Sequence, residues 1–170
     1  MRVVVNDANV LIDLVELRLL PHFFALQMEF HTTSIILDEL FEVQAEALTP
    51  YIEDGSLQLH EVSEKELEEI IAIRIQKPSL SEQDCSALYK AQSISATLLT
   101  SDNELRKFAK SKDVDVHGHF WILDQMVAAQ TISPITASEK LTELCETVNP
   151  KLGLPKRECN RRHKTWKDAD

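Results

Sequence analysis

Short apolar runs that alternate with segments of helical periodicity constrain the fold of this chain more than any other feature. Runs with the character of β-strands fall at residues 3–5, 30–33, 57–62, 96–100 and 114–116. In the segments between them, apolar side chains recur every three or four residues, as on the buried face of a helix. Strands that alternate with helices are typical of a parallel sheet covered on both faces, so we predict the α/β class.

Individual residues predict where several helices begin and end. A first helix is expected over residues 9–20. Ser34 is predicted to cap a second helix, whose apolar side continues to about residue 47. A Ser-x-x-Glu pattern at residues 63–66 and a Ser-x-x-Asp pattern at residues 81–84 are capping boxes, which mark two further helix starts.

The length and composition of the chain favour one domain. It has 170 residues, of which 44% are hydrophobic, and this is enough for an ordinary core. No apolar run reaches the roughly 18 residues of a membrane span, and the N-terminal run is too short for a signal peptide. Three widely spaced cysteines without a C-x-x-C pair argue against a disulfide framework or a zinc ribbon. We therefore expect a cytoplasmic protein with no membrane partner.

The charge of the chain is unevenly distributed. The formal net charge is −10, but residues 151–170 contain seven basic and three acidic side chains and so carry +4. The other 150 residues contain 11 basic and 25 acidic side chains, which gives −14. The basic tail could contact nucleic acid, fold over the acidic body, bind an acidic partner or remain a solvated, partly disordered end.

Four acidic residues lie where predicted elements change type. Asp7 and Asp102 follow apolar strands, Glu39 follows the run of residues 34–37, and Asp84 lies at the start of a helix. Because the carboxyl ends of parallel strands share one edge of a sheet, these acids can meet in space. Two carboxylates about 4 Å apart repel by about 4 kcal/mol at an effective dielectric near 20, so the cluster would need protons or a divalent cation. Carboxylate oxygens suit Mg²⁺, and metal-assisted phosphate chemistry is a common use of such a site.

Each of the four acids also has a purely structural explanation. Asp7 and Asp102 could cap the helices that follow them. Asp84 occupies the third position of a capping box, where a carboxylate is favoured by the helix dipole. Glu39 could be a solvated helix residue, and Asp38 beside it is an equally good second acid.

Other catalytic and metal-binding motifs do not occur in the sequence. The segment that begins at Asp7 starts like a calcium loop, but its sixth position is Ile12 instead of glycine. Metalloprotease, P-loop, dinucleotide-binding and nucleophile-elbow patterns are missing. An aspartyl-nucleophile phosphatase would require an aspartate where Asn9 stands. The close pair of histidines, His117 and His119, has no evident third ligand and is predicted to lie in a loop.

Several segments, taken in order, resemble the motifs of the PIN domain, a nuclease fold found in many VapC-type toxins. They are residues 3–12, 33–40, 80–88, 98–105 and the glycine-led segment 118–123. The order and spacing of these segments carry the resemblance, which covers about residues 2–148. It implies an α/β/α three-layer sandwich on a parallel sheet of about five strands. The PIN-like nuclease domain would occupy residues 1–148, with a basic extension over residues 149–170.

The resemblance also implies a metal site. PIN domains hold Mg²⁺ or Mn²⁺ in an acidic cluster, whose positions are matched here by Asp7, Glu39, Asp84 and Asp102. Asp7, Asp84 and Asp102 would bind the metal. Glu39 would complete the site and would orient or deprotonate the attacking water. Asn9 and Thr100 would hydrogen-bond the carboxylates and fix their rotamers.

The activity implied by the resemblance is that of a metal-dependent endoribonuclease that leaves a 5′-phosphate and a 3′-hydroxyl. The implied setting is a toxin–antitoxin pair, with RNA as the substrate, a small protein antitoxin as a partner and a possible homodimer. A catalytically silent PIN-like scaffold is the alternative. RNA would be repelled by the acidic body unless metal ions and basic residues such as Arg106 and Lys107 offset the charge.

Overall fold

Five parallel strands form one sheet in the computed structural model, which describes residues 1–169. The strands are β1 (Arg2–Asn6), β2 (Met28–Thr33), β3 (Leu57–His60), β4 (Thr97–Leu99) and β5 (Val116–His117). Their order in the sheet is β3-β2-β1-β4-β5, and every neighbouring pair is parallel. The predicted all-parallel sheet is confirmed.

Helices flank this sheet and give the three-layer α/β/α fold that the resemblance implied. In chain order, the helices before β4 are α1 (Ala8–Glu16), α2 (Leu20–Phe24), α3 (Ser34–Asp38), α4 (Glu42–Glu53), α5 (Glu64–Gln76) and α6 (Glu82–Ser93). The chain after β4 forms α7 (Asn103–Ser111), α8 (His119–Ala128), α9 (Pro134–Glu143), a π-helix (Leu144–Val148) and α10 (Lys156–Asp168). Among the helices of residues 1–169, none combines the length and the apolar character of a membrane span.

The strand order fixes where a site can form. The chain leaves β1 on one side to make β2 and β3, and then returns to make β4 and β5 on the other side. The order therefore reverses between β1 and β4, and ligands of such sheets bind outside the carboxyl ends of the strands at this switch point. Asp7 follows β1 directly, and Thr100 follows β4.

The chain divides into two compact units. The first comprises residues 1–12 and 27–119 and contains the whole sheet, whereas the second comprises residues 13–26 and the part from residue 120 onward. Val4 and Val5 of β1 and Leu98 and Leu99 of β4 are completely buried. Strands of a parallel sheet are covered on both faces, which explains why these segments are continuous apolar runs.

Two predicted helix boundaries are wrong. The first helix ends at Glu16 instead of near residue 20, because Arg18 takes a left-handed backbone conformation with φ of +58°. The predicted cap of α3 is also displaced by one residue. Thr33 Oγ1, and not the side chain of Ser34, accepts the hydrogen bond from Ile36 N–H at 3.1 Å.

The helix predicted to continue to about residue 47 is interrupted after α3. Phe41 is extended, with ψ of 154°, and its N–H donates to Gln44 Oε1 at 3.0 Å, so a new helix begins. Val43, which the apolar pattern placed on the buried side, is 75% exposed. Apolar periodicity alone cannot detect this break, because the contact that starts α4 is a single side-chain hydrogen bond.

Both predicted capping boxes are confirmed. Ser63 Oγ accepts from Glu66 N–H at 3.2 Å, and Glu66 Oε1 accepts from Ser63 N–H at 3.2 Å. Ser81 and Asp84 exchange the corresponding bonds at 3.0 Å each. These reciprocal bonds satisfy backbone donors that a helix start leaves unpaired, which is why the pattern is readable from sequence.

The basic tail forms helix α10 and packs against α9. Trp166 is buried, and the guanidinium of Arg162 contacts Asp124 and Glu158 at 2.8 and 2.9 Å. The same guanidinium lies 4.3 Å from the ring centroid of Phe120. Of the alternatives that the sequence left open for the tail, a disordered end does not describe residues 156–168.

Candidate active site

Asp7 is a buried carboxylate at the end of β1. Only 2% of the surface of this residue is exposed to solvent. Oδ2 accepts a hydrogen bond from Thr100 Oγ1 at 2.8 Å, and Oδ1 accepts one from Ala8 N–H at 2.9 Å. These two bonds favour the charged form, yet the pKa of Asp7 is raised to about 7, first by burial, then by the charge of Asp84 and, more weakly, by Glu39.

Thr100 joins the end of β4 to two of the predicted site acids. Its hydroxyl donates to Asp7 Oδ2 and also accepts a hydrogen bond from Asp102 N–H at 3.1 Å. The neighbouring strands β1 and β4 bring Asp7 and Thr100 together although they are 93 positions apart in the sequence. Thr100 therefore fixes the rotamer of Asp7 and the start of the segment that carries Asp102.

Asp84 and Asp102 each hold the start of a helix: Asp84 is the third residue of α6 and completes the capping box of Ser81, whereas Asp102 is the N-cap of α7. Asp84 Oδ2 accepts from Ser81 N–H at 3.0 Å, and Asp102 Oδ1 accepts from Leu105 N–H at 2.8 Å. Burial raises the pKa of Asp84, the hydrogen bonds with Ser81 oppose that shift, and the charge of Asp102 adds to it. Both acids therefore have the helix-capping role that the sequence left open, and they also repel each other.

Glu39 closes α3 and belongs to the same electrostatic group. Its pKa is raised by burial and by the charge of Asp84. Glu39 in turn contributes to the raised pKa of Asp7. The four acids predicted from the sequence are therefore linked pairwise by their charges, from Glu39 to Asp7 and Asp84 and from Asp84 to Asp102.

Comparison with known protein families identifies the domain that forms this fold. A family model described as PIN domain (DUF3368) matches residues 3–149. The chain belongs to the PIN domain family. No curated protein matches it. PIN domains are generally nucleases, so this PIN domain has a nuclease-type fold.

The four acids of this PIN domain carry the type of ligand atom that a hard divalent cation prefers. All four supply carboxylate oxygens, the ligands that Mg²⁺ and Mn²⁺ prefer. Within residues 1–169, however, no three His, Cys, Asp or Glu side chains stand together as a ready metal cage. The two helix caps explain this in part, because each cap holds one oxygen of Asp84 or Asp102 on a backbone N–H. A cation would offset the repulsion between the carboxylates, which adds to burial in raising the pKa of Asp7.

Asparagines stand on either side of Asp7. Asn9, which was predicted to hydrogen-bond a carboxylate, accepts at Oδ1 from Ser101 N–H at 3.3 Å. Asn6, which the sequence analysis missed, is completely buried and donates from Nδ2 to His31 O at 3.2 Å. Its Oδ1 has no hydrogen-bond partner in the part of the chain that the structure describes. Its position directly before Asp7 was the signal that could have identified it.

Arg106 brings a positive charge to the edge of this PIN domain where β4 ends. Its Nη2 donates to Thr100 O at 3.3 Å. Gly118 makes that approach possible, because a Cβ at this position would lie 2.6 Å from Nη2 and 3.3 Å from Thr100 O. The sequence analysis noted Arg106 only as part of a basic helix face and Gly118 only as part of a motif. Their mutual contact explains why a glycine opens the segment before α8.

The histidines of this PIN domain do not lie where the sequence predicted. His117 ends β5, with Nε2 3.3 Å from Asp115 Oδ2, and His119 begins α8, so neither lies in a loop. A different pair, His31 and His60, lies on the neighbouring strands β2 and β3, with Nδ1 of His31 2.7 Å from Nε2 of His60. His31 Nε2 also lies 2.7 Å from Glu29 Oε1. Strand pairing, which the sequence does not show, creates this second polar cluster.

Proposed function

We propose that this PIN domain is a divalent-metal-dependent endoribonuclease that uses Mg²⁺ or Mn²⁺. The observation that carries the proposal is Asp7, a buried carboxylate at the switch point of the sheet whose pKa is raised first by burial and then by the charge of Asp84. A protein without a use for this arrangement would gain stability by losing the charge. Strongly perturbed acids in one place are typical of functional sites.

The proposed roles are those that the resemblance to PIN domains implies, and the position of Thr100 supports one of them. Asp7, Asp84 and Asp102 would bind the metal ion, and Thr100 would hold Asp7 in its rotamer through the 2.8 Å hydrogen bond. Glu39 would complete the site and orient or deprotonate the attacking water. A bound metal ion would lower the pKa of the water molecule that it holds and would stabilise negative charge on the phosphoryl oxygens.

The substrate must approach an acidic protein, so local positive charge matters. Arg106 lies next to Thr100, and Lys107 and Lys110 are exposed along α7. Lys112 at the end of α7 lies over the ring of Phe108, 5.3 Å from its centroid. These cations would attract the RNA backbone toward the acidic site in a salt-dependent manner.

Asp102→Asn tests the proposal without removing a helix cap. Asparagine is as good an N-cap as aspartate, so the fold should remain, whereas Mg²⁺-dependent cleavage of RNA should fall by about 100-fold or more. The measurement is the initial rate of cleavage of a labelled RNA, with the circular dichroism spectrum as a check on the fold. Asp113→Asn is the matched control, because Asp113 lies past the opposite end of α7 in a left-handed conformation that asparagine tolerates. Equal rates for Asp102→Asn and the parent protein would refute the proposed site.

We also propose that this nuclease acts as the toxin of a toxin–antitoxin pair, with a small protein antitoxin as partner and possible homodimerisation. The support is the resemblance of the motifs to VapC-type proteins. Expression of the parent protein should arrest bacterial growth, and a short reading frame encoded next to it should restore growth when co-expressed. Asp102→Asn should be harmless in the same assay. Normal growth on expression of an RNA-cleaving parent protein would reject the toxin role and leave the nuclease intact.

A catalytically silent scaffold is the second candidate. It is favoured by one observation, namely that within residues 1–169 the acids do not form a ready metal cage and two of them cap helices. Calorimetric titration with Mn²⁺ separates the two candidates. A nuclease should release or absorb heat at millimolar metal and lose that signal in Asp102→Asn, whereas a scaffold should give no signal with either protein.

A further inference from the structure

Two cysteines of the second unit line the same small cavity. Cys145 lies in the π-helix and Cys159 in α10, and both border a cavity of about 300 Å³ that also contacts Lys156 and His163. Both thiols are free, and neither residue is fully buried. The third cysteine, Cys85, is completely buried in α6 and belongs to the other unit.

Cys145 and Cys159 are neighbours on the wall of this cavity. Burial raises the pKa of Cys145 to about 11, and the nearby Cys159 adds to that shift. The Cys145 thiol is therefore protonated at neutral pH, and it reacts slowly because the thiolate is the nucleophile. Under reducing conditions the pair would persist as a dithiol.

The backbone around Cys145 is unusual. The segment that carries it is a π-helix, closed by a hydrogen bond of 2.8 Å from Asn149 N–H to Leu144 O. Such segments are rare, occur mostly as single-turn insertions within α-helices and are frequent at functional sites. A regular continuation of α9 would change the direction of every side chain after Leu144, so the register of Cys145 depends on this irregular turn.

We propose that Cys145 and Cys159 are a reversible modification site that forms a disulfide when the protein meets a peroxide. One thiol gives up its proton, its sulfur attacks a peroxide oxygen of H₂O₂, and the O–O bond breaks. The departing hydroxide takes up that proton and leaves as the first water, with a sulfenic acid on the sulfur. The sulfur of the second cysteine then attacks the sulfenic sulfur, the S–S bond forms, and the second water leaves. Two thiols are oxidised, H₂O₂ is reduced to two waters, and a dithiol such as dithiothreitol reverses the change by exchange.

The disulfide would tie α10 to the π-helix, and so give the basic tail a covalent connection that depends on redox conditions. A cross-link restricts the unfolded chain, so the oxidised protein should melt several degrees above the reduced protein. The proposal is independent of the nuclease activity, because none of the four acids of the candidate active site takes part.

The test uses the full chain treated with excess H₂O₂, then with N-ethylmaleimide, and digested for peptide mass mapping. We expect one cross-linked peptide pair that contains Cys145 and Cys159, lighter by two hydrogens, and reversed by dithiothreitol. Cys85 should remain reduced, and Cys85→Ala should form the same link. Cys145→Ser and Cys159→Ser should lose both the link and the gain in Tm on oxidation. Reduced or sulfinic Cys145 and Cys159 in the treated parent protein, or a link to Cys85, would overturn the proposal even if the variants failed to fold.

Discussion

Asp7→Asn should make the metal-free protein more stable at pH 8, by about 2–4 kcal/mol, although it removes a charge from the centre of the candidate site. The reason is that Asp7 has a pKa of about 7 in the folded protein against 3.8 for the ordinary side chain. Between these pH values Asp7 keeps its proton in the folded protein but has lost it in the unfolded chain. The free energy of unfolding therefore falls as the pH rises from about 4 to about 7, and asparagine, which does not ionise, avoids that fall.

Asparagine can also keep the local hydrogen bonds. Its Oδ1 can accept from Ala8 N–H, and its Nδ2 can donate to the hydroxyl of Thr100, which is able to accept as well as donate. The measurement is the free energy of unfolding in urea with chelator present, at pH 4 and at pH 8. The two proteins should be nearly equal at pH 4 and should differ at pH 8.

A second buried aspartate provides the control for this experiment. Asp13 is 4% exposed, and its Oδ2 accepts from Asn149 Nδ2 at 3.2 Å. Asp13→Asn should gain no stability at either pH. If Asp7→Asn instead lost stability at pH 8, the charge of Asp7 would be compensated within the fold, and the argument that its neighbours destabilise it would be wrong.

Metal addition extends the same comparison. Mg²⁺ or Mn²⁺ should raise the Tm of the parent protein, because a ligand that binds the folded state stabilises it, and the rise should be larger at pH 8 than at pH 5. Asp7→Asn should show little or no rise. The parent protein should also release protons when the metal binds near pH 7, since Asp7 must ionise to act as a ligand.

Glu39→Gln should lower the rate of Mg²⁺-dependent RNA cleavage by about 100-fold or more, whereas Asp38→Asn should change it by less than about threefold. The sequence offered both acids as the second member of the cluster. After burial, the charge of Asp84 raises the pKa of Glu39, and the charge of Glu39 contributes to the raised pKa of Asp7. This link to the other acids is the reason for the expected difference. The measurement is the single-turnover rate at saturating enzyme, which isolates the chemical step from RNA binding.

The two variants control for each other, because they are adjacent and each removes one negative charge. A general effect of net charge on RNA binding would therefore appear equally in both. The reverse result, with Asp38→Asn inactive and Glu39→Gln active, would assign the second acid to Asp38. Equal loss in both would show that the end of α3 matters through charge alone.

Much of the fold was predictable because its signals are local. The capping boxes of α5 and α6 join residues three apart, so the sequence shows both partners of each bond. The buried strands β1 and β4 are readable as apolar runs because both faces are covered. The break between α3 and α4 was not predictable, because it depends on one side chain, Gln44, pairing with a single backbone N–H.

The candidate site was only partly predictable for the same reason. The sequence determined which acids stand at the ends of strands and at the starts of helices, because those positions follow from local periodicity. Only the tertiary structure decided that β1 lies beside β4, which places the hydroxyl of Thr100 on the carboxylate of Asp7 across 93 positions of the chain. It likewise decided that Arg106 lies against Gly118. These contacts depend on strand order, which is set by the burial of many side chains at once and is not encoded in any one segment.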